Sequence, residues 1–531
     1  MFKPRDKQAS FIDTDDICDK LILADSFYRK FREIVSPLIK DEHFESMYTP
    51  DNGRPAIPPS LLAMATILQF YRNLSDREME RACMYDIEIK YALNLKIDDR
   101  PFDHSSLGDF RKRLLEHGKE KEVFDKILNK LVDSDLIKRN EIQRIDATHI
   151  IADIAIPTVI TLVKKGVYEI LKSLKKRHRD VYEALISQIE VSEYAKDAVN
   201  NSDAGRLDRE KRQRRLVKVA GDAYTALKYV RDITGDDILK RRVDLLRRIL
   251  CEQTELDKNG EAYEKESADK PKDILVSPID EDARYGAKSQ TKKFTGYKAT
   301  VTEEITNRFI TNIAAISGNQ PDGRNAVGTI IEQDKQGLKP AKVIGDSAYS
   351  DGAYRKALQQ EDIQMVAPQR IKNDTSKGVY PKSMFTYNRE KQKLICPEGV
   401  EGSIAYYDRQ KKITTFHFPM TSCKECPSRV YCTKAKEGRR TVGISEAQES
   451  LFEAERYNQG EEFKAYMKLR PPIEGKLSEL VRYHGLRRAR YRGLPKVNLQ
   501  CYFTAAAVNI KRWIKIVLER IQVPPLNLVP T

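Results

Sequence analysis

Asp146, Asp346 and Glu474 are the residues of this sequence whose types and settings could do chemistry. Asp146 interrupts the apolar stretch Ile142-Gln-Arg-Ile-Asp146-Ala-Thr-His-Ile-Ile151, Asp346 closes Lys342-Val-Ile-Gly-Asp346, and Glu474 follows a double proline in Arg470-Pro-Pro-Ile-Glu474. A carboxylate at the end of a buried strand is costly unless a cation or hydrogen bonds offset it. Three such carboxylates brought together make a site for hard divalent ions, Mg²⁺ or Mn²⁺ rather than a soft metal. A pair of such ions can clamp the attacking and leaving oxygens of a phosphodiester. Each acid taken alone is more often a turn or helix cap. On spacing alone Asp351 rivals Asp346, and Asp282 rivals Asp146.

The elements that must position these acids follow from periodicity. Residues 1–137 read as helical: Leu61, Met64, Ala65 and Leu68 recur at helical spacing, and Ser75-Asp-Arg-Glu78 has the form of a capping box. Ser105 or Ser106 is the expected cap of a further helix carrying Phe110 to Leu114. Strands are expected at about 142–154, 297–302, 309–316, 342–344 and 363–367, the fourth ending in Gly345-Asp346. The segment 164–270 is charged and reads as inserted helices, looser near Asn200–Gly205. Residues 371–457 break the pattern and hold four cysteines. A helix resumes near Glu461, stops at Pro471-Pro472 and restarts with Glu474 in its first turn, where proline costs nothing. The last helix, about 499–521, presents Phe503, Ala506, Ile510, Trp513 and Val517 as a core stripe. Strands broken by helices make the fold class α/β.

A chain of 531 residues implies several domains, and 94 Lys+Arg against 79 Asp+Glu give a net charge of +15. That excess favours an anionic polymer as partner, because each neutralised phosphate releases counterions. The longest apolar stretch, Leu61–Tyr71, is too short to span a bilayer, and the first residues lack a signal-peptide pattern. No membrane association and a cytoplasmic location are therefore expected.

The surroundings of the three acids distinguish them from their rivals. Arg144-Ile-Asp146-Ala-Thr148 resembles the first block of the DDE transposases of bacterial insertion sequences, and Asp346-Ser-Ala-Tyr349 resembles their second. Tyr466-x₃-Arg470-x₃-Glu474-x₇-Arg482 is similar to their Tyr–Arg–Glu–Lys signature, with the tyrosine one residue further out and Val481 at the lysine position. Gly53-Arg-Pro-Ala-Ile-Pro-Pro59, Phe110-Arg-Lys-Arg-Leu114, Ser277–Arg284 and Gly296-Tyr-Lys298 resemble one large branch of that family. The resemblance implies an RNase H-like mixed sheet flanked by helices (138–163, 271–370 and 458–531), a helical N-terminal DNA-binding domain (1–137), a charged helical insertion (164–270) and a cysteine-containing insertion (371–457). It further implies Mg²⁺-dependent cleavage at transposon ends and attack of the freed 3′-OH on target DNA, with Asp146, Asp346 and Glu474 as catalytic metal ligands. The partners would be double-stranded DNA, at the terminal inverted repeats and the target, and a second copy of the chain in a homodimer.

Arg482, Arg487, Arg488, Arg490, Arg492 and Lys496 form the richest basic run, interleaved with Tyr483 and Tyr491. Beside a metal site that receives a polyanion they are expected to contact DNA phosphates, with the aromatic rings free to stack on an unpaired base. Arg470 is expected to brace a phosphate or a carboxylate. Arg111 and Arg113 are the corresponding basic residues of the helical N-terminal region. Cys396, Cys423, Cys426 and Cys432 form a candidate structural Zn²⁺ site; free thiols are the alternative. His149 reads as a structural strand histidine. The competing functional readings are a catalytically inactive transposase-derived DNA-binding protein, a nuclease without strand transfer, and an RNA-binding protein.

Overall fold

The computed structural model describes residues 2–5, 13–49, 55–196, 208–289, 291–369, 378–388, 391–435 and 438–522. Gly53, Arg54 and the stretch Asn200–Gly205 lie outside them.

The central sheet is built on β1 (Gln143–Ile151). Two short strands, β2 (Thr254–Leu256) and β3 (Ala262–Glu264), pair only with each other. β4 (Arg284–Ala287), β5 (Lys293–Glu304), β6 (Ile310–Ser317), β7 (Lys342–Ile344) and β8 (Gln364–Val366) complete the sheet. β5 runs antiparallel to β1 on one side and to β6 on the other, while β7 and β8 follow on β1's far side, both parallel to it. This is an antiparallel meander continued by two parallel strands, the mixed sheet that the resemblance implies. β4, which the sequence did not announce, pairs with the first part of β5. At the join between the β4- and β6-paired parts of β5, Gly296 adopts φ +145°. A Cβ there would lie 2.2 Å from the Ile150 carbonyl oxygen, so only glycine lets the two backbones approach.

The C-terminal helix, Leu494–Gln522, lies along β6. β6 is an edge strand with unpaired backbone groups, and side chains of the helix satisfy them. Asn509 accepts from Ile310 N–H and donates to its carbonyl, both at 2.8 Å, and Asn498 accepts from Ala315 N–H at 2.7 Å. The helix's other face packs on the N-terminal helices. Phe503 stacks on Phe70 at 6.0 Å between ring centroids, and Tyr502 on Phe124 at 6.3 Å. One continuous core thus joins the N-terminal helices, the C-terminal helix and a face of the sheet.

In the N-terminal region the Ser75 capping box forms as expected, Ser75 Oγ accepting from Glu78 N–H and Glu78 from Ser75 N–H. The next cap differs from expectation. Asp103, not Ser105 or Ser106, caps the helix His104–Glu116, accepting from Ser105 N–H at 2.8 Å. A carboxylate at the position just before the helix makes the better acceptor, and both serines are already helical.

The charged insertion begins a few residues before its expected start. Helices Val159–Arg177, Arg179–Ile186, Arg209–Tyr229 and Asp237–Gln253 surround a core of their own. The cysteine-containing segment forms a second, antiparallel sheet that the sequence did not reveal: β9 (Thr386–Asn388), β10 (Lys393–Ile395), β11 (Glu401–Asp408), β12 (Ile413–His417) and β13 (Thr441–Ser445), in that order. Phe385, Leu394, Phe416, Phe418, Val442 and Ile444 fill its small core.

Candidate active site

The parallel pairing of β1 with β7 sets Arg144 opposite Ile344. Two residues further along each chain stand Asp146, inside β1, and Asp346, just past the end of β7, so the register brings these two acids to neighbouring positions on strands about 4.8 Å apart. Asp346 caps the turn Ser347–Tyr349, accepting from Ala348 N–H at 2.8 Å. Asp146 accepts from Ala147 N–H at 2.8 Å. Glu474 lies in the first turn of the helix Pro472–Arg482, where the dipole favours a carboxylate. All three line one cavity of about 590 Å³, together with Thr148, His149, Lys298, Asp322, Arg470, Arg482 and Arg487.

Arg470 stands between the first and third acids. Its Nη2 is 3.1 Å from Asp146 and its Nη1 3.3 Å from Glu474. Asp146 is largely enclosed, with 16% of its side chain exposed, while Glu474 is 66% exposed. Burial pushes the Asp146 carboxyl up to about 6; the Ala147 N–H and Arg470 pull it down, and the charges of Asp346 and Asp322 push it up again. A group in this condition gains from a nearby positive charge, and Arg470 supplies one.

The segment bearing Arg470 and Glu474 is held to the sheet by buried charges. Arg144 donates from Nη1 to the Leu469 carbonyl at 3.0 Å and from Nη2 to the Ile305 carbonyl at 3.3 Å. Its Nε faces Glu303 at 3.6 Å, and Glu303 is fully buried. Arg308 joins Glu303 at 3.1 Å and donates to the Pro472 carbonyl at 2.8 Å, while Lys476 approaches Glu303 at 4.0 Å. Burial raises the Glu303 carboxyl, and these three cations oppose that rise.

The basic run is stitched to the end of β1. Ile151 N–H donates to the Arg487 carbonyl and Ala489 N–H to the Ile151 carbonyl, both at 2.8 Å, and Arg487 Nη1 donates to the His149 carbonyl at 2.6 Å. Arg482, Arg488, Arg492 and Lys496 are exposed, as is Tyr483. Arg490 faces inward instead: it stacks on the Phe70 ring and donates to the Leu74 carbonyl and Asn73. Arg111 is also committed elsewhere. It is buried, paired with Asp76 and lying over the Tyr491 ring, so neither it nor that ring is free to meet a nucleic acid. Charge count in the sequence could not separate these interior cations from the exposed ones. Arg113 sits over the Tyr48 ring at 4.8 Å. Tyr466 packs under Lys342, and Val481 lines the rim of the cavity beside Arg482.

The rival acids have structural work. Asp351 caps the helix Gly352–Gln359, and Asp282 accepts from Leu494 N–H at the start of the C-terminal helix. His149 lies in the cavity with its ring 5.0 Å from Phe294; burial, then Arg487, Lys288 and Lys298, lower its pKa to about 4, which leaves it neutral near pH 7.

Two family models match the chain. Residues 395–514 match a transposase DDE domain, and residues 16–113 match a transposase domain. Both matches support an insertion-sequence DDE transposase. The first match spans Glu474 and the basic run, and the second spans most of the N-terminal helices. Among solved structures, the cryo-EM structure of piggyBac transposase synaptic complex with hairpin DNA is similar over 99% of this chain and 85% of that one, at 11% identity and a TM-score of 0.25. No curated protein matches the transposase. No helix among its described residues is long and apolar enough to cross a membrane.

The donor set of the acidic pocket fits divalent cations. All its ligands are hard oxygens, and the Tyr349 hydroxyl, buried among the charges of Asp146, Asp322 and Asp346, has no hydrogen-bond partner. A cation with its water shell would supply one. The three carboxylates are not all within 4.8 Å of one another; Glu80, Asp103 and His104 are, in the N-terminal region. That second group is accounted for without a metal, because both acids meet the same His104 Nδ1, at 3.0 and 3.4 Å, and Glu80 also accepts the His104 backbone N–H. The spread of the three acids has a cause too: the Arg470 guanidinium stands between Asp146 and Glu474.

The four clustered cysteines come together beside the second sheet. The other three all act on the Cys432 thiol, whose pKa is raised by burial first. Cys396 starts a tight turn in which Val400 N–H points at its sulfur at 3.3 Å. The four sulfurs are not among the ligand atoms that lie within 4.8 Å of one another in the described residues.

Proposed function

We propose that this transposase cleaves DNA at the ends of its element and joins the freed 3′-OH to target DNA, using Asp146, Asp346 and Glu474 as ligands for two divalent cations. The observation that carries the reading is the register that sets Asp146 beside Asp346, with Arg470 tying Glu474 to the same cavity. Magnesium or manganese bound there would activate the attacking oxygen and stabilise the leaving one. The protein supplies the rest. Asp146, within β1, and Asp346, in the turn after β7, fix ligand oxygens on a rigid sheet. Arg470 trades its carboxylate partners for the scissile phosphate once cations balance the acids. Arg482, Arg487, Arg488, Arg492 and Lys496 hold the flanking phosphates. The chemistry needs no covalent link between protein and DNA.

Two copies of the chain would pair two transposon ends, in the cytoplasm where the DNA lies. Cys396, Cys423, Cys426 and Cys432 would hold a structural Zn²⁺ that fixes the second sheet. The helical N-terminal region, with the half-buried Arg113 over Tyr48, would read DNA beside the cleavage point.

The test uses duplexes taken from the DNA flanking the gene, incubated with purified protein and Mg²⁺ or Mn²⁺. Cleaved strands ending in 3′-OH, and joined products with added target, are expected. Asp146→Ala, Asp346→Ala and Glu474→Ala should each abolish cleavage while DNA binding persists. Normal cleavage by any of the three overturns the assignment.

A further inference from the structure

The cavity holds a fourth acid that neither the motifs nor the proposed mechanism uses. Asp322 lies in the turn Asp322–Asn325, directly after β6. It lines the same cavity as Asp146, Asp346 and Glu474. Its turn is pressed against the turn that carries Asp346. A Cβ on the adjacent Gly323 would come within 2.9 Å of the Ala348 carbonyl oxygen and 2.5 Å of the Tyr354 ring, so the two acid-bearing turns cannot drift apart without breaking this packing. Lys298, from β5, donates to Asp322 at 2.7 Å and to the Gln320 carbonyl at 2.9 Å. Lys298 in turn sits opposite His149 in the β1–β5 register, three residues beyond Asp146.

An independent observation points to the space between these acids. The Tyr349 side chain is 1% exposed, its hydroxyl has no partner, and the charges of Asp146, Asp322 and Asp346 all fall on it. A buried hydroxyl left without a partner costs free energy, so something polar belongs beside it. Two six-coordinate cations also ask for more oxygen donors than three carboxylates provide.

We propose that Asp322 is a fourth carboxylate of the catalytic pocket, holding divalent cation together with Asp146 and Asp346, and that Lys298 is its counter-ion when no cation is bound. Lys298 plays for Asp322 the part that Arg470 plays for Asp146 and Glu474. Loading the pocket frees both cationic side chains at once, and both then face the DNA backbone. The proposal rests on the reading of the three acids as metal ligands.

The test is Mn²⁺ binding to the metal-free full-length protein without DNA, followed by calorimetry and by electron paramagnetic resonance. Asp322→Asn should weaken Mn²⁺ binding by about ten-fold or remove one of two ions, as loss of a supporting ligand does at metal sites. Lys298→Met, which removes the competing cation, should tighten it several-fold. Asp146→Asn serves as the reference. Asp322→Asn binding like the wild type while Asp146→Asn binds weakly would overturn the role of Asp322 and leave the triad standing. Wild-type binding by both variants would overturn the triad reading as well. If Asp322→Asn does not fold, Lys298→Met decides alone, and unchanged binding by it overturns the proposal.

Discussion

Arg470 and Asp146, 324 residues apart in the chain, meet at 3.1 Å. The same guanidinium reaches Glu474 one helical turn later. Two of the proposed metal ligands are thus bridged by the residue best shaped to grasp a phosphate. Replacing Arg470 by alanine should have two opposite effects. Mn²⁺ affinity of the DNA-free protein should rise, because a competing charge is gone. Cleavage should fall by about 10- to 100-fold, the worth of a lost charged hydrogen bond. Calorimetry and a cleavage time course separate the two.

Arg144 anchors the loop before Glu474 from inside the protein. Arg144→Ala leaves Glu303 buried with one partner fewer, and should destabilise the fold by about 3–5 kcal/mol. Urea unfolding measures the loss. The double variant Arg144→Met with Glu303→Gln should recover part of it, since the buried charge is then removed along with its partner.

Tyr349 offers a probe of what fills the pocket. Its orphaned hydroxyl penalises the metal-free protein, so Tyr349→Phe should raise the melting temperature without metal, by about 1 kcal/mol in stability. The gain should shrink when Mn²⁺ is added, because the wild-type hydroxyl then has a partner. A gain independent of Mn²⁺ would count against hydrated cation beside that ring.

Asp125 makes a pH prediction remote from the site. Burial raises its carboxyl to about 6, with Lys121 opposing and Glu332 adding. Between about pH 4 and pH 6 the folded state therefore holds a proton that the unfolded state has released, and stability falls as pH rises through that window. Asp125→Asn should remove that fall and stabilise the protein by about 1 kcal/mol at pH 7.5, less toward pH 4. Melting curves across the pH range check the sign.

Zinc should be measurable directly. Elemental analysis of the purified protein should find one zinc per chain, and Cys423→Ser should lose it. Because metal binding at such sites couples to folding, chelation should lower the melting temperature. An absence of zinc with unchanged melting after chelator treatment would leave the four thiols free.

Some of this was readable from residues alone. The strand Lys342–Ile344 falls where its short apolar run placed it, and Asp146 sits within the strand expected around it, because β-prone runs flanked by turns carry their own signal. The second sheet gave no such signal. β11 exposes Ile404, Tyr406 and Tyr407 and buries little, so no apolar alternation marked it. Asp322 escaped notice because Asn319-Gln-Pro-Asp322-Gly reads as an ordinary turn, and only tertiary packing brings that turn against Asp346. Arg111 shows the converse error: a cation beside two others in sequence looked external, yet Asp76 and Tyr491 enclose it.

The C-terminal helix has a consequence for how the protein comes into being. Its Asn509 and Asn498 seal the edge of the sheet, and its Phe503 completes the core of the first helices. None of these contacts exists until the final segment has left the ribosome. A chain that stops before Leu494 therefore lacks both the seal on the sheet edge and part of the packing around the first helices.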